Sequence, residues 1–192
     1  MSITILLTFL FIFSSCSRFQ KLNSVEGRLR YDEHYATFNN IDYESEETEE
    51  FGFGITGKDT KKGKKGIEFS YSIFPDIALE SSKLFPSHPD NRTSFGVIET
   101  KRFSGFLSGR GSMFTPVGAF EISAGAGLSY IDASGVAVST SKIEPTFRYT
   151  GSYTLFFLEW LYGGVQFTFQ ESPQSTFSEY YSLSYNLGLV FR

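Results

Sequence analysis

Residues 180–192, with the sequence YYSLSYNLGLVFR, decide the fold of this chain. Counted two residues at a time, one face carries only apolar and aromatic side chains: Tyr181, Leu183, Tyr185, Leu187, Leu189 and Phe191. The other face carries small or polar residues, Ser182, Ser184, Asn186 and Gly188, with Val190 as the single apolar exception. A period of two predicts a β-strand between two different environments. The polar face carries no charge, which is not typical of a strand facing bulk water.

An aromatic residue stands next to the C-terminus, and the segment resembles the closing strand of a bacterial outer-membrane β-barrel. In that family the last strand ends in an aromatic residue that the insertion machinery reads, whereas here Arg192 follows Phe191. The resemblance implies an outer-membrane location with both termini in the periplasm. It also implies three partners: outer-membrane lipids, lipopolysaccharide and the barrel-insertion machinery.

Composition agrees with a barrel and excludes some other classes. The net charge of −4 gives no basic surface for a nucleic-acid partner. Aromatic residues make up 18% of the chain and there are 18 glycines, which fits twisted strands with aromatic girdles. No apolar run approaches the roughly 20 residues of a spanning helix. No cofactor or metal is predicted, because the acidic run 44–50 lacks the fixed Asp and Gly positions of a calcium loop.

The N-terminus looks like a targeting segment. Residues 3–13 form an apolar run of the length of a signal-peptide core. The following Phe13-Ser14-Ser15-Cys16 resembles a bacterial lipobox, although Phe13 replaces the usual leucine and no Lys or Arg precedes the core. Two interpretations stay open: a lipoprotein that is cleaved and lipidated at Cys16, or a secretory signal with an incidental cysteine. The first predicts a signal peptide at 1–15, a tether at 16–26 and a barrel at 27–192.

Alternation along the rest of the chain predicts eight strands. They lie at about 27–38, 51–56, 67–73, 94–114, 120–130, 147–157, 161–170 and 180–192. Four longer connections are predicted to face outward as loops: 39–50, 75–92, 131–142 and 172–178. Tight turns are predicted at 115–118 and near Leu158, and the basic connection 57–66 is predicted as a solvated turn.

Periodicity alone does not say which face looks inward. A water-soluble lipocalin-like barrel would turn the apolar face toward a ligand and the polar face outward. The polar face here has few charges, and the apolar face carries more rings than eight strands enclose. The sequence therefore predicts an all-β, eight-stranded antiparallel up-and-down transmembrane β-barrel with a polar, side-chain-filled lumen.

Charged residues fall on the face that is predicted to look inward: Glu68, Arg102, Arg110, Glu121 and Arg148, joined by Arg28, Arg30 and Asp32. Opposite charges in a narrow lumen must pair, since an unpaired buried ion is costly. The set is interpreted as a structural salt-bridge cluster, with an ion path or a gated plug as the functional alternative.

Three functions remain open. The first is a non-enzymatic role in envelope integrity or in surface recognition through the loops. The second is a lipid A-modifying enzyme, an acyltransferase or deacylase, for which the weak candidate catalytic residues are His34 and His88. His34 would act with Asp32, or with Asp76 and Ser81 or Ser82 across the loops. The third is a soluble lipocalin-like lipid carrier, and the sequence does not decide whether the chain is an enzyme.

Overall fold

The computed structural model describes residues 18–30, 35–38, 41–44, 50–59, 67–88, 96–135, 138–172 and 177–191. Eleven strands lie in these ranges: β1 (Arg18–Phe19), β2 (Ser24–Arg30), β3 (Tyr35–Phe38), β4 (Ile41–Glu44), β5 (Glu50–Thr56), β6 (Glu68–Pro86), β7 (Ile98–Phe114), β8 (Gly118–Gly135), β9 (Val138–Phe156), β10 (Leu161–Glu171) and β11 (Phe177–Val190). None of the described segments is a helix long and apolar enough to cross a bilayer.

The sheet closes on itself as a barrel whose wall has eight strand positions, which are called staves here. Strands β6 to β11 pair with their chain neighbours as antiparallel hairpins. The ring is completed by β2 and β3, which pair with β11 one after the other, and by β5 and β4, which pair in the same way with β6. β2 and β3 together form one stave, and β5 and β4 together form the next. These two staves are joined because β2 pairs with β5 and β3 pairs with β4. The predicted eight-stranded antiparallel barrel is confirmed.

The barrel turns its apolar face outward and its polar face inward. Along the closing strand, Tyr185 is 48% exposed, whereas Ser184 is 2% exposed. On the neighbouring strand Phe167 is exposed and Thr168 is buried. The predicted polar, side-chain-filled lumen is confirmed, whereas a lipocalin-like carrier would turn its apolar face inward around a ligand.

The two ends of the barrel differ, and they are called here the turn end and the loop end. At the turn end, tight connections join β7 to β8 and β9 to β10, as predicted. Thr115 N donates to Gly118 O at 2.7 Å, and Phe157 N donates to Leu161 O at 3.0 Å. At the opposite, loop end, several strands run further than the sequence predicted.

All four predicted loops are partly wrong, because strands continue into them; in the loop 172–178 this concerns only the first two residues of β11, which begins at Phe177. β6 runs to Pro86 through most of the predicted loop 75–92. β8 and β9 leave only residues 136–137 between them, in place of the predicted loop 131–142. Residues 41–44 of the predicted acidic loop form β4, which pairs with β3 and β6. The first predicted strand, 27–38, is β2 and β3, and β2 begins three residues earlier, at Ser24.

Pro75 helped to make β6 look like a loop, yet the fold accommodates it. Ile73 O accepts a hydrogen bond from Gln20 N, so odd-numbered residues of β6 turn their backbone groups toward β1 and β5. On that side, β1 pairs with residues 72–73 and β5 with residues 76–80. Pro75 therefore lies at the gap between two partner strands, where a missing N–H removes no ladder hydrogen bond.

Candidate functional site

A group of buried charges crosses the middle of the lumen, around Arg28 on β2. Its guanidinium donates to Glu26 Oε1 from Nε at 2.8 Å and from Nη2 at 2.6 Å. The same guanidinium lies 3.7 Å from Asp76 and 3.8 Å from Glu80, both on β6. Arg148 on β9 donates to the other oxygen of Asp76. These contacts join three staves of the wall across the lumen by ion pairs.

A second group surrounds the carboxylate of Glu121, nearer to the turn end. Arg110 donates to Glu121 Oε1 at 3.3 Å, and Thr154 donates to Oε2 at 3.3 Å. The remaining cation is Lys58, which comes from the connection after β5 and whose ammonium donates to Glu121. Asn23 holds the backbone of Lys58 on both sides, with bonds of 2.7 and 2.9 Å. Lys58, which was predicted to lie in a solvated turn, is therefore buried inside the barrel.

Two aromatic rings on the polar face pack against the buried arginines. Arg110 Cζ lies 3.7 Å from the ring centre of Phe74, and Arg148 Cζ lies 4.2 Å from that of Phe106. A guanidinium over an aromatic face is stabilised by the ring quadrupole, most strongly where water is excluded. Phe106 interrupts the polar pattern of β7 in the sequence, and this stacking is the reason that it does so.

The structure brings together four of the eight predicted luminal charges. Arg110, Glu121 and Arg148 are buried in the two groups, as is Arg28. Arg102 is half-buried and donates to Gln170 Oε1 at 3.2 Å. Glu68 lies exposed at the first residue of β6, outside both groups. Asp32 lies outside the described residues, and for Arg30 only the backbone is described.

Sequence reasoning missed several members of the two groups: Glu26, Lys58, Asp76, Glu80 and Tyr162. Tyr162 donates from its hydroxyl to Glu26 Oε2 at 2.8 Å and shares a 2.7 Å bond with Ser24. Asp76 and Glu80 could have been found, because they continue the even-numbered inward phase of Ser70 and Ser72 beyond Pro75. Lys58 carried no signal, since it belongs to a glycine- and lysine-rich connection with no alternation.

Between the two groups lies a cavity of about 30 Å³, lined by charged and hydroxyl side chains from both. This volume suits one or two water molecules. Two polar groups on its border, Asp76 Oδ1 and the Nε of Arg148, have no hydrogen-bond partner among the described protein atoms. Side chains therefore fill the lumen and leave room for one or two water molecules. The residues that line this space are mainly charged or polar.

At the loop end the character of the interior reverses. A buried apolar cluster lies on the inward face there: Tyr43, Leu84, Ile98, Ile131 and Ala133. On the outer side of the same strands, the exposed residues are Ser81, Lys83, Glu99, Lys101, Asp132 and Ser134. Lys83 and Glu99 form an ion pair at 3.4 Å across neighbouring strands. Residues 81–86, 98–102, 131–135 and 138–145 are called here the loop-end extension.

The structure adds little support for a catalytic role of the two candidate histidines. His88 is exposed just beyond the end of β6, at the loop end, and His34 lies outside the described residues. Cys16, the predicted lipid attachment site, also lies outside them. Within the described ranges, no group of three or more His, Cys, Asp and Glu side chains is placed to hold a metal ion.

Comparison with known proteins finds relatives in fold but not in sequence. No family model and no curated protein matches the chain. Neisserial surface protein A superposes with a TM-score of 0.58 at 8% identity, over 88% of this chain and 96% of that one. Ail of Yersinia pestis (TM-score 0.49, 7% identity) and the N-terminal barrel of Pseudomonas aeruginosa OprF (0.44, 13%) each align over 88% of this chain, and over 97% and 98% of their own. This chain has the fold of an outer-membrane β-barrel.

Proposed function

We propose that this chain is an outer-membrane protein with a closed lumen and that it works through its loop-end extension, as a surface for recognition outside the membrane. The observation that carries the proposal is the reversal of polarity along β6, β7 and β8. Below Leu79, Phe103 and Tyr130 the outward side chains are mostly apolar. One step above, at Ser81, Lys101 and Asp132, they are polar and exposed, while the inward face gains a cluster of apolar side chains.

The length of the apolar band supports a membrane-spanning segment. It runs from Phe69 to Leu79 on β6, from Phe103 to Met113 on β7 and from Phe120 to Tyr130 on β8, which is eleven residues, or ten steps along the strand, in each case. Ten steps of antiparallel strand are about 34 Å long. At a tilt of about 40° they rise about 26 Å, which matches the apolar band of outer-membrane barrels.

The extension has the opposite pattern, which is that of a sheet in water. Its buried side holds a small apolar core and its outer side carries charges of both signs. The Lys83–Glu99 ion pair and the exposed polar side chains around it are stable in water but would be costly in hydrocarbon. Four staves that continue past the bilayer as ordered sheet offer a partner a more rigid surface than loops do.

The partners implied by the resemblance fit this arrangement as proposals. The apolar band contacts outer-membrane lipids, and the polar step above it lies where lipopolysaccharide headgroups would be. The aromatic closing strand supports recognition by the insertion machinery. The turn end, from which Ser24 enters β2 and at which β11 ends, faces the periplasm in this proposal, and Cys16, if lipidated, would anchor the chain on that side.

Cysteine labelling tests the orientation and the location together. In a Cys16→Ser background, Tyr185→Cys and Phe167→Cys are expected to react with a lipid-soluble probe but not with a water-soluble maleimide. The matched inward variants, Ser184→Cys and Thr168→Cys, are expected to react with neither. Asp132→Cys is expected to react with a membrane-impermeant maleimide on intact cells. Labelling of Tyr185→Cys by the water-soluble reagent, or protection of Asp132→Cys on intact cells, would overturn the proposal.

A lipid A-modifying enzyme is the second candidate, favoured only by the exposed position of His88 at the loop end. Mass spectra of lipid A from cells with and without the protein separate the two. An unchanged spectrum is expected for a recognition protein. A gained or lost acyl chain that His88→Ala or His34→Ala abolishes would establish the enzyme instead.

A further inference from the structure

The lipid-facing wall carries a groove over the seam where the first and last staves meet. The groove has a volume of about 580 Å³ and is lined by outward side chains of β2 and β11, with Phe53 of β5 and Leu161 of β10 at its margins. Beneath it, β2 pairs with β11 along all seven of its residues. The volume lies within the range of about 300–1,000 Å³ that small-ligand sites have. Because the lining is almost wholly apolar, the groove suits an apolar occupant.

Gly27 forms the floor of the groove. It lies on the outward side of β2, opposite Leu187 of β11. Apart from its chain neighbours, one described atom lies within 4 Å of a Cβ added at Gly27, the carbonyl oxygen of Leu187 at 3.9 Å. Gly111, in a smaller groove of about 310 Å³ on β6, β7 and β8, differs, because side-chain atoms of Ile122 and Tyr71 lie 3.7 Å from such a Cβ. Among the described residues, no flanking side chain fills the space above Gly27.

The groove opens at the turn end of the barrel. Leu161 and Leu189 line its lower end, where they are paired directly after the β9–β10 turn. Leu29 and Tyr185 line its upper end, and Tyr185 lies four residues from Leu189 along β11. Four strand steps are about 14 Å long, less than half of the apolar band. In the proposed orientation, the groove therefore opens to the leaflet that faces the periplasm.

The surroundings of the groove limit what can fill it. Hydrocarbon surrounds this part of the wall, so the occupant is a lipid chain or another membrane protein. In hydrocarbon, association depends on packing, and lining atoms that face a void lose their dispersion contacts. A flexible acyl chain adapts to an irregular groove, whereas a protein needs a ridge of matching shape. A second copy related by a twofold axis through this face would place groove against groove and leave both empty.

We infer that the groove over Gly27 is a binding site for one acyl chain of a phospholipid from the periplasmic leaflet. The chain enters beside Leu161 and Leu189, and its methyl end lies near Leu29. Trp160 precedes Leu161 in the turn and is 54% exposed, and an indole ring at this place favours the level of the headgroups. The bound chain covers the β2–β11 seam that closes the barrel. This inference rests on the orientation in the proposed function and adds a lipid ligand to it.

Photo-crosslinking in phosphatidylethanolamine vesicles tests the site. The protein carries Cys16→Ser, so that it has no acyl chain of its own. The probe is phosphatidylethanolamine with a diazirine on one acyl chain, placed either near the carbonyl or near the methyl end. The first probe is expected to label Leu161 and Leu189, and the second to label Leu29, each several-fold more than Leu128, an exposed residue outside the groove. Even labelling around the barrel would overturn the inference.

A filled groove provides the matched comparison. Gly27→Leu occupies the groove, and Gly105→Leu is its control, because Gly105 lies on the outer face of β7 with no described atom within 4 Å of an added Cβ. Gly27→Leu is expected to lower the labelling of Leu161 and Leu189 to the level of Leu128, whereas Gly105→Leu leaves it unchanged. The heat-sensitive mobility shift on a detergent gel shows that each variant is folded. Unchanged labelling of a folded Gly27→Leu variant would overturn the inference.

Two further results would assign the groove to another occupant. Disulfide-linked dimers of Gly27→Cys in cells would identify a second copy of the chain. Labelling of Leu161 and Leu189 by the methyl-end probe would place the lipid in the opposite leaflet. Either result would overturn the inference. Labelling of Asp132→Cys on intact cells reports the orientation independently, so a failure of the lipid site leaves the recognition surface standing.

Discussion

At the scale of single residues, Asp76 is the charge on which the middle of the lumen depends. It accepts from Arg148 on one side and lies 3.7 Å from Arg28 on the other. Asp76→Asn would leave two buried guanidinium groups with one fewer negative charge, and breaking a buried ion pair costs about 3–5 kcal/mol. We expect the free energy of unfolding in lipid vesicles, measured by urea titration, to fall by about 3 kcal/mol.

The matched control is Asp132→Asn, which removes an exposed carboxylate from the outer side of β8. Isolated surface charges contribute about 0–1 kcal/mol, so this variant should unfold almost as the parent does. Equal effects of the two substitutions would mean that water reaches the lumen freely and that the ion pairs around Asp76 are not structural.

Glycine is required at position 188 of the closing strand, because the side chain of Tyr162 packs directly against its Cα inside the barrel. A Cβ at this position would overlap the ring of Tyr162. That ring is held by hydroxyl bonds to Ser24 and Glu26, so it cannot move aside without losing them. Gly188→Ala is expected to lower the free energy of unfolding by about 1–3 kcal/mol, as overpacking does.

Gly151 is the control for this substitution, because it lies on the outer face with no atom within 4 Å of an added Cβ. Gly151→Ala should leave the urea midpoint unchanged or raise it slightly. A Gly188→Ala variant as stable as Gly151→Ala would contradict the tight packing of Tyr162 against the closing strand.

At the scale of elements, β1 completes the wall where β5 ends. It pairs in parallel with residues 72–73 of β6, and Gln20 N then donates to Ile73 O at 2.8 Å. Without this segment, carbonyl groups of β6 would face lipid with no donor, at a cost of about 1–3 kcal/mol for each orphaned group. Residues 18–23 therefore form part of the wall and not only a connection to it.

Gln20→Pro removes that one donor, and Gln20→Ala keeps it. We expect the proline variant to unfold at a lower urea concentration, by about 1–3 kcal/mol in free energy, and the alanine variant to match the parent. On a detergent gel, the proline variant should lose its heat-sensitive mobility shift at a lower temperature than the alanine variant and the parent. A proline variant that behaves like the alanine variant would show that β1 does not support the barrel.

The strands that the sequence predicted well and those that it missed differ in one physical respect. Within the bilayer, alternation keeps one phase, and β10 and β11 could be read directly from it. Above the bilayer the phase reverses: Leu79 points outward, whereas Leu84 on the same strand points inward. On β8, Tyr130 and Ile131 are neighbours on opposite faces of the sheet. A pattern that changes phase within one strand looks irregular in the sequence, and this explains the wrong loops at 75–92 and 131–142.

The luminal site was predictable where charges lie on strands of clear phase, as with Arg110, Glu121 and Arg148. Their partners were not, because pairing depends on which staves meet across the lumen. Lys58 and Glu121 are 63 residues apart in the chain, and Arg148 and Asp76 are 72 apart. Register and barrel closure bring them together, and neither is visible in the local pattern.

At the scale of the whole molecule, the length of the apolar band, eleven residues on each of β6, β7 and β8, determines the bilayer thickness that suits this barrel. Its rise of about 26 Å predicts greatest stability in a bilayer with a hydrocarbon core of that thickness. In thicker bilayers the polar step at Ser81, Lys101 and Asp132 would be drawn into hydrocarbon. Mismatch costs fractions of a kcal/mol for each Å, so 6 Å of excess thickness should lower the free energy of unfolding by roughly 1–3 kcal/mol.

Urea titrations in phosphatidylcholine vesicles of increasing chain length measure this dependence. Lys101→Leu with Asp132→Leu provides the comparison, because it extends the apolar band by one step on β7 and β8. The optimum of the double variant should move to a bilayer thicker by up to about 5 Å, the rise of two tilted strand residues. If both proteins share one optimum, the hydrocarbon boundary does not lie between Tyr130 and Asp132. That result would contradict the placement of Ser81, Lys101 and Asp132 outside hydrocarbon, and with it the proposed recognition surface.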